Sequence, residues 1–239
     1  MDRAVSRSFA ILEALARSRG PARLSDLSAA TDLQKSTVHR ILATLSELGY
    51  ADQDDSGRYR PTLRSWEIGI GVVADLPIYR VAAGYLHALH RTTGETVSLT
   101  VLSGSDVLYL EKLTAARPVR FLTRVGSRVP APLTAGGKAI LSARIDAAQL
   151  IEEAAVHRDL DVPALMTELE ECRQRGYALS GYSPGVTSIG AAVAAGGAPP
   201  EAALSVSAPS ERLAGKKREA IIEALLETRA RMTEALDRP

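Results

Sequence analysis

The sequence predicts an α+β protein in two parts, a small helical domain closed by a β-hairpin and a larger domain in which strands alternate with helices. Three observations carry this. Residues 5–48 hold helix-period segments broken by turn residues, two of them with a clear apolar stripe. An Asp-Asp-Ser-Gly turn at 54–57 then separates two short stretches, which is a hairpin signal. Beyond Asp75, β-rich runs and helix-period runs intermingle. At 239 residues the chain is long for one average domain and comfortable for two.

Val5, Phe9, Leu12 and Leu15 form the stripe of a first helix, which Gly20-Pro21 ends. Ser25 is placed as the N-cap of a short second helix, Asp26 to Ala30, with Asp26 in its first turn. Asp32 occupies the turn, and a third helix runs from Gln34 to Leu48 on the stripe Val38, Ile41, Leu42, Leu45 and Leu48. Gly49 is its C-cap candidate. Three short helices followed by a hairpin make a winged helix-turn-helix, whose third helix enters the major groove.

With the stripe packed inward, Ser36, Thr37, Arg40 and Thr44 face outward, and Gln34 and Lys35 sit at the helix start. Arg40 suits a bidentate bond to guanine, and Ser36 and Thr37 suit bases or phosphates. Lys35, Arg58 and Arg60 read as phosphate contacts, which position without reading sequence. A polar helix face taken alone is a solvated surface. The order of helix, helix, helix and hairpin is what favours a DNA interface.

Leu63 to Ala74 has helical period, two glycines and the only tryptophan, Trp66, which suits either internal packing or an interdomain or dimer contact. A helix over Tyr79–Arg91 precedes two strands, Thr96–Val101 and Val107–Leu113, joined by a turn at 103–106. Thr134 caps a helix to Ala143, and further helices follow at Ala147–Ala155 and Ala164–Arg175. Strands at Ile189–Ala195 and Ala202–Ser207 and a last helix from Gly215 to Leu236 complete the domain.

Composition narrows the class. Apolar residues make up 46% and charged residues 24%, which excludes a disordered tail, a fibre or a disulfide-stapled secreted domain. The single cysteine, Cys172, can form neither an internal disulfide nor a cysteine-based zinc site, and it fits a reducing cytosol. The first residues lack the apolar core of a signal peptide. The longest uncharged run, 176–200, is interrupted by six glycines and three prolines, so membrane insertion is rejected. The net charge of +1 points to no partner by itself. The first forty residues carry seven basic against four acidic side chains, a local surplus. Few phosphate contacts per subunit are therefore expected, and dimerisation is needed for useful affinity.

The run Lys35-Ser36-Thr37-Val38-His39-Arg40-Ile41-Leu42-Ala43-Thr44-Leu45, then Leu48-Gly49-Tyr50 and Gly57-Arg58-Tyr59-Arg60, resembles the DNA-binding domain of the IclR family of bacterial transcription regulators. Gln34 stands where the family usually has proline, and Asp32 where it usually has glycine. The resemblance continues through Thr93-Gly94-Glu95-Thr96, Pro118-Val119-Arg120, Val125-Gly126, Gly137-Lys138-Ala139 and Ala203-Leu204-Ser205-Val206-Ser207. It implies a winged helix-turn-helix domain at 1–62, a linker helix at 63–74 and a GAF-like effector-binding and oligomerisation domain at 75–239. The DNA-binding set it implies is Ser25, Gln34, Lys35, Ser36, Thr37, His39, Arg40, Arg58 and Arg60.

The resemblance also implies an effector pocket. Pro118, Phe121, Val129 and Val186 would form its apolar wall, with Ala135 and Gly136 at a helix start. Ser180, Ser188, Ser205 and Ser207 would supply polar groups, the last two sharing one face of a strand. The residues themselves suggest an anion. No acidic side chain occurs from Leu113 to Ile145, while Arg117, Arg120, Arg124, Arg128, Lys138 and Arg144 do. The helix start at 134–137 offers free N–H groups. Solvated surface arginines are the plainer reading of the basic run; the hypothesis is a small organic acid, aromatic acids included.

Enzyme readings fail on the residues. Gly136-Gly137-Lys138-Ala139 is not a P-loop, because Pro132 and Ala139 stand where glycine and Ser or Thr are needed. The histidines, His39, His87, His90 and His157, are scattered, and His87 and His90 lack an acidic third ligand and read as solvated. No catalytic residue, metal or cofactor is expected. The expectation is a cytoplasmic, ligand-responsive regulator, a repressor, binding a palindromic double-stranded operator as a homodimer or dimer of dimers. The rivals are a metabolic enzyme with an appended DNA-binding domain and a constitutive architectural DNA-binding protein.

Overall fold

The computed structural model describes residues 2–18, 20–116, 123–156 and 158–238. Helix α1 (Arg3–Arg17) is capped by the Asp2 carboxylate, which accepts the Ala4 amide at 2.8 Å. Its buried face is Ile11, Ala14 and Leu15, so the expected stripe is corrected: Val5 and Phe9 are 53% and 61% exposed. The face that packs is the one meeting helix α2 (Leu24–Thr31) and helix α3 (Lys35–Glu47), and it is rotated from the simplest apolar spacing. Ser25 is likewise not an N-cap. Helix α2 starts two residues earlier than expected because Asp26, inside its first turn, accepts the Arg23 amide at 3.2 Å. Asp32 ends α2 in the left-handed conformation, φ 53°, which carboxamide and carboxylate side chains tolerate better than most.

Strands β1 (Ala51–Gln53) and β2 (Tyr59–Pro61) pair antiparallel as the wing. Tyr59 also exchanges two backbone bonds with Ala22, at 2.7 and 2.8 Å, which ties the wing to the segment before α2. Ile11, Leu15, Leu27, Val38, Leu42 and Tyr59 are central to this core. Leu48, at the end of the expected α3 stripe, is 55% exposed. Helix α4 (Arg64–Ala74) follows and buries none of its residues; Trp66 is 61% exposed, which removes the reading as internal packing. The chain divides here into two units, Met1–Ala74 and Asp75–Pro239.

The second unit is built on one antiparallel sheet of six strands in the order β5-β4-β3-β8-β7-β6. These are β3 (Thr96–Ser103), β4 (Asp106–Leu113), β5 (Arg128–Pro130), β6 (Ala178–Ser180), β7 (Val186–Val193) and β8 (Ala202–Pro209). Strands β5 and β6 are three residues each, too short for periodicity to show. Helices α5 (Pro77–Thr93) and α9 (Gly215–Leu236) pack together and onto the sheet. Helix α6 (Ala135–Ser142) packs on β3, β7 and β8, with α8 (Val162–Arg175) behind it and α7 (Ala147–Ala155) beside α8. Strand β3 shows why two layers form. Val97 and Leu99 point to one face, and Thr96, Ser98 and Thr100 to the other, all nearly fully buried.

Glu95 enters β3 with a buried carboxylate. Arg212 donates Nε and Nη2 to it at 3.1 and 2.6 Å, and Lys217 of α9 donates Nζ at 2.9 Å. Burial alone would raise this carboxyl, but the two cations outweigh it and hold it below the usual carboxylate range. His90 is not simply solvated, since its Nδ1 lies 2.7 Å from the Glu95 carbonyl oxygen. Among the described residues, no single helix is long and apolar enough to cross a membrane.

Candidate DNA interface and ligand cavity

On α3 the buried Val38, Leu42 and Leu45 leave Gln34, Lys35, Ser36, His39 and Arg40 exposed, with Thr37 half-buried. Gln34 sits at the N-cap without a side-chain cap bond, so the first turn keeps open N–H groups beside Lys35. Ser25 is exposed and bonds the Asp26 carboxylate at 3.2 Å. The wing differs from a plainly basic hairpin. Asp52 holds Arg60 through Nε and Nη2 at 3.2 and 2.8 Å, and Asp54 lies 3.4 Å from Arg58. The Ser56 hydroxyl and the Arg58 amide hold the Asp54 carboxyl below its usual range. With Asp55, the wing carries three acids against two arginines.

In the second unit a cavity of about 290 Å³ opens between the sheet and the start of α6. Thr134 caps the helix, accepting the Gly137 amide at 2.9 Å, and the Ala135 and Gly136 backbone lines the cavity. Close approach of helix to sheet depends on glycine. A Cβ on Gly190 would overlap the Ala135 backbone, and one on Gly136 would lie 2.8 Å from Thr100 Oγ1 and 2.9 Å from Ser205 Oγ. Ser98 and Ser205, in register on neighbouring strands, are 3% and 8% exposed, and their hydroxyls make no hydrogen bond among the described residues.

Of the residues placed at the pocket from sequence, Val129, Ala135, Gly136, Ser180, Ser188, Ser205 and Ser207 line this cavity. Val186 does not. It pairs with Pro209, two residues along the ladder from the Ser188 and Ser207 pair, and is not among the lining residues. Pro118 and Phe121 lie outside the described residues, as do Arg117 and Arg120. The basic run is also corrected. Lys138 is bound to Glu168 at 2.7 Å and Arg144 to Asp146 at 2.8 Å, so neither serves the cavity. The lysine that does line it is Lys112, one residue before the acid-free stretch, and Arg128 lines it too. The Lys112 ammonium donates to the Thr123 carbonyl at 2.7 Å, and burial lowers its pKa.

Sequence reasoning passed over Lys112, Tyr109 and the hydroxyls Thr96, Ser98 and Thr100, all of which line the cavity. Their signal was the alternation Thr-Val-Ser-Leu-Thr at 96–100, a strand apolar on one face and hydroxylated on the other. Among the described residues no three His, Cys, Asp or Glu side chains gather as a metal site. Cys172 is buried, and burial raises its thiol pKa, which keeps it protonated and unreactive.

The family model for the IclR helix-turn-helix domain matches residues 4–55, and that for the bacterial transcriptional regulator IclR C-terminal region matches residues 70–233. The HTH-type transcriptional repressor AllR of Escherichia coli is 29% identical over 226 residues, covering 88% of this chain and 81% of that protein. Among solved structures, Thermotoga maritima IclR superposes with a TM-score of 0.79 at 24% identity, covering 98% of both chains. An IclR homolog of Microbacterium hydrocarbonoxydans, complexed with 4-hydroxybenzoate, gives a TM-score of 0.84 at 24% identity and covers 98% of both chains. The two family models together span most of the chain, in the order its two units take, and the chain belongs to the IclR family of bacterial transcriptional regulators.

Proposed function

We propose that this regulator is a cytoplasmic repressor whose affinity for a palindromic operator is set by a small organic acid bound in the cavity of its second unit. The observation that carries the ligand reading is the pair of unbonded hydroxyls of Ser98 and Ser205, two buried residues that line the cavity together with the open first turn of α6. Backbone N–H groups at a helix start and two hydroxyl donors suit a carboxylate, and Lys112 adds positive charge at the wall. The 4-hydroxybenzoate held by the Microbacterium homolog makes that acid a first compound to test.

On the DNA side, α3 would lie in the major groove with Arg40 reading a base, Ser36, Thr37 and His39 near bases or phosphates, and Lys35 on the backbone. An apolar groove lined by Phe9, Leu12, Leu45, Leu48, Tyr50 and Ile68 supports pairing of two first units, as a homodimer or a dimer of dimers. Helix α4 would be the linker through which effector binding shifts the DNA-binding units. The acid then changes operator affinity by its differential affinity for the two states.

A gel shift with the DNA upstream of its own coding sequence, run with and without candidate acids, tests this. Release of a specific complex by an acid is the expected result. Binding that no metabolite alters would favour an architectural protein, and turnover of the acid would favour an enzyme. Arg40→Ala should weaken operator binding by about 1–3 kcal/mol without changing the melting temperature, because Arg40 is exposed.

Asp52→Asn makes a separate prediction. Freed from its carboxylate, Arg60 should add about one phosphate contact, and the log–log salt slope on a random-sequence duplex should steepen by about 0.9. Folding stability should be essentially unchanged, since the pair is solvent-exposed. An unchanged slope would show that Arg60 never reaches the backbone.

A further inference from the structure

The cavity floor carries two rows of side chains running across the sheet. The first passes from Lys112 through Ser98 and Ser205 to Gly190, over which α6 begins. The second passes from Thr96 through Ser207 and Ser188 to Ser180, one residue from each of four neighbouring strands. A carboxylate is accommodated by the first row and α6. Nothing in a carboxylate calls for the second row.

That second row is hydroxyl throughout. Ser188 and Ser207 bond each other at 2.8 Å, and Ser180 donates to the Leu133 carbonyl at 2.7 Å. Thr96 accepts the Ala115 amide at 3.1 Å, and Ser180 also accepts the Tyr182 amide at 3.2 Å. A hydroxyl has one donor and two acceptor positions, so each of these groups keeps at least one position for a ligand after its internal bonds. The wall beyond the rows continues in the same character. Beyond the rows, five more of the described lining residues are serine or threonine, Tyr109 and Tyr182 bring phenol hydroxyls, and the aliphatic ones larger than alanine are Val129 and Leu133. A flat apolar ring laid on this floor would cover hydroxyls without bonding them, and buried polar groups left that way weaken binding.

We infer that the effector is a compact polyhydroxylated carboxylic acid, its carboxylate on the Lys112–Ser98–Ser205 row and its hydroxyls along the Thr96–Ser207–Ser188–Ser180 row. This rests on the organic-acid reading of the same cavity and selects one class within it. A volume of about 290 Å³ accommodates a short open chain.

Calorimetry on the full-length protein tests it with glycerate, threonate, gluconate and galactonate against butyrate, hexanoate and benzoate. At least one hydroxy acid should bind about tenfold or more tightly than the alkyl acid of the same length. Ser188→Ala and Ser207→Ala should remove that preference while leaving the alkyl acid's affinity unchanged, and Ser98→Ala should weaken both. Melting curves of each variant separate loss of binding from loss of fold. If benzoate or an alkyl acid binds as tightly as any hydroxy acid, the hydroxy-acid assignment is overturned and the organic-acid reading stands. If no acid binds at all, both fall.

Discussion

Glu95→Ala is expected to cost about 3 kcal/mol of folding stability, read as a lower urea midpoint at unchanged slope. The carboxylate is 3% exposed, whereas its partners Arg212 and Lys217 are 21% and 49% exposed. Removing it leaves two cations facing a buried vacancy, and the partly exposed cations recover some hydration. The value therefore belongs at the low end for a broken buried pair. Glu95→Gln should lose nearly as much, because shape is kept and charge is not. The effect has a pH signature. The folded carboxyl titrates below its unfolded value, so its contribution is fully present above the unfolded pKa. It is lost as pH falls through the depressed folded pKa. Wild type and Glu95→Gln should therefore differ at neutral pH and converge in acid, and a gap that persists at low pH would show that packing rather than charge was lost.

Gly190→Ala is expected to destabilise by about 3 kcal/mol and to abolish effector binding together with it. The added Cβ would overlap the Ala135 backbone, and backbone cannot turn aside as a side chain can. Relief requires lifting the start of α6 from the sheet, which is the geometry the cavity depends on. Gly136→Ala separates the two effects. Its Cβ would press on the Thr100 and Ser205 hydroxyl oxygens at 2.8 and 2.9 Å, so it should lose ligand affinity with a smaller loss of stability. Thermal melting beside calorimetry distinguishes them. If Gly190→Ala binds an effector normally, the helix start is not part of the site.

Much of the fold was legible because its signals are local. The α3 stripe, the left-handed Asp32, the Thr134 cap, the hairpin turns and the 215–236 helix each depend on residues a few positions apart. Where reading failed, a distant partner had chosen among local options. The face of α1 that is buried is the one α2 and α3 meet, so Ile11 and Ala14 are inside and Val5 and Phe9 are not. The Arg58 and Arg60 charges counted as basic in sequence are matched by Asp54 and Asp52 across or within the wing.

The same division holds for the cavity. Ser205 and Ser207 could be placed on one strand face from their spacing, and Ala135 and Gly136 at a helix start from the Thr134 cap. That Lys112 joins them, and that Lys138 and Arg144 do not, follows from sheet order and from ion pairs with Glu168 and Asp146. Sequence by itself determined the family and most of the longer elements, since periodicity, caps and turns act over one or two turns of chain; the three-residue strands β5 and β6 left no such pattern. The tertiary structure alone decided which hydroxyls share a wall and which charges line the cavity. Strand register and packing bring together side chains that no local pattern relates.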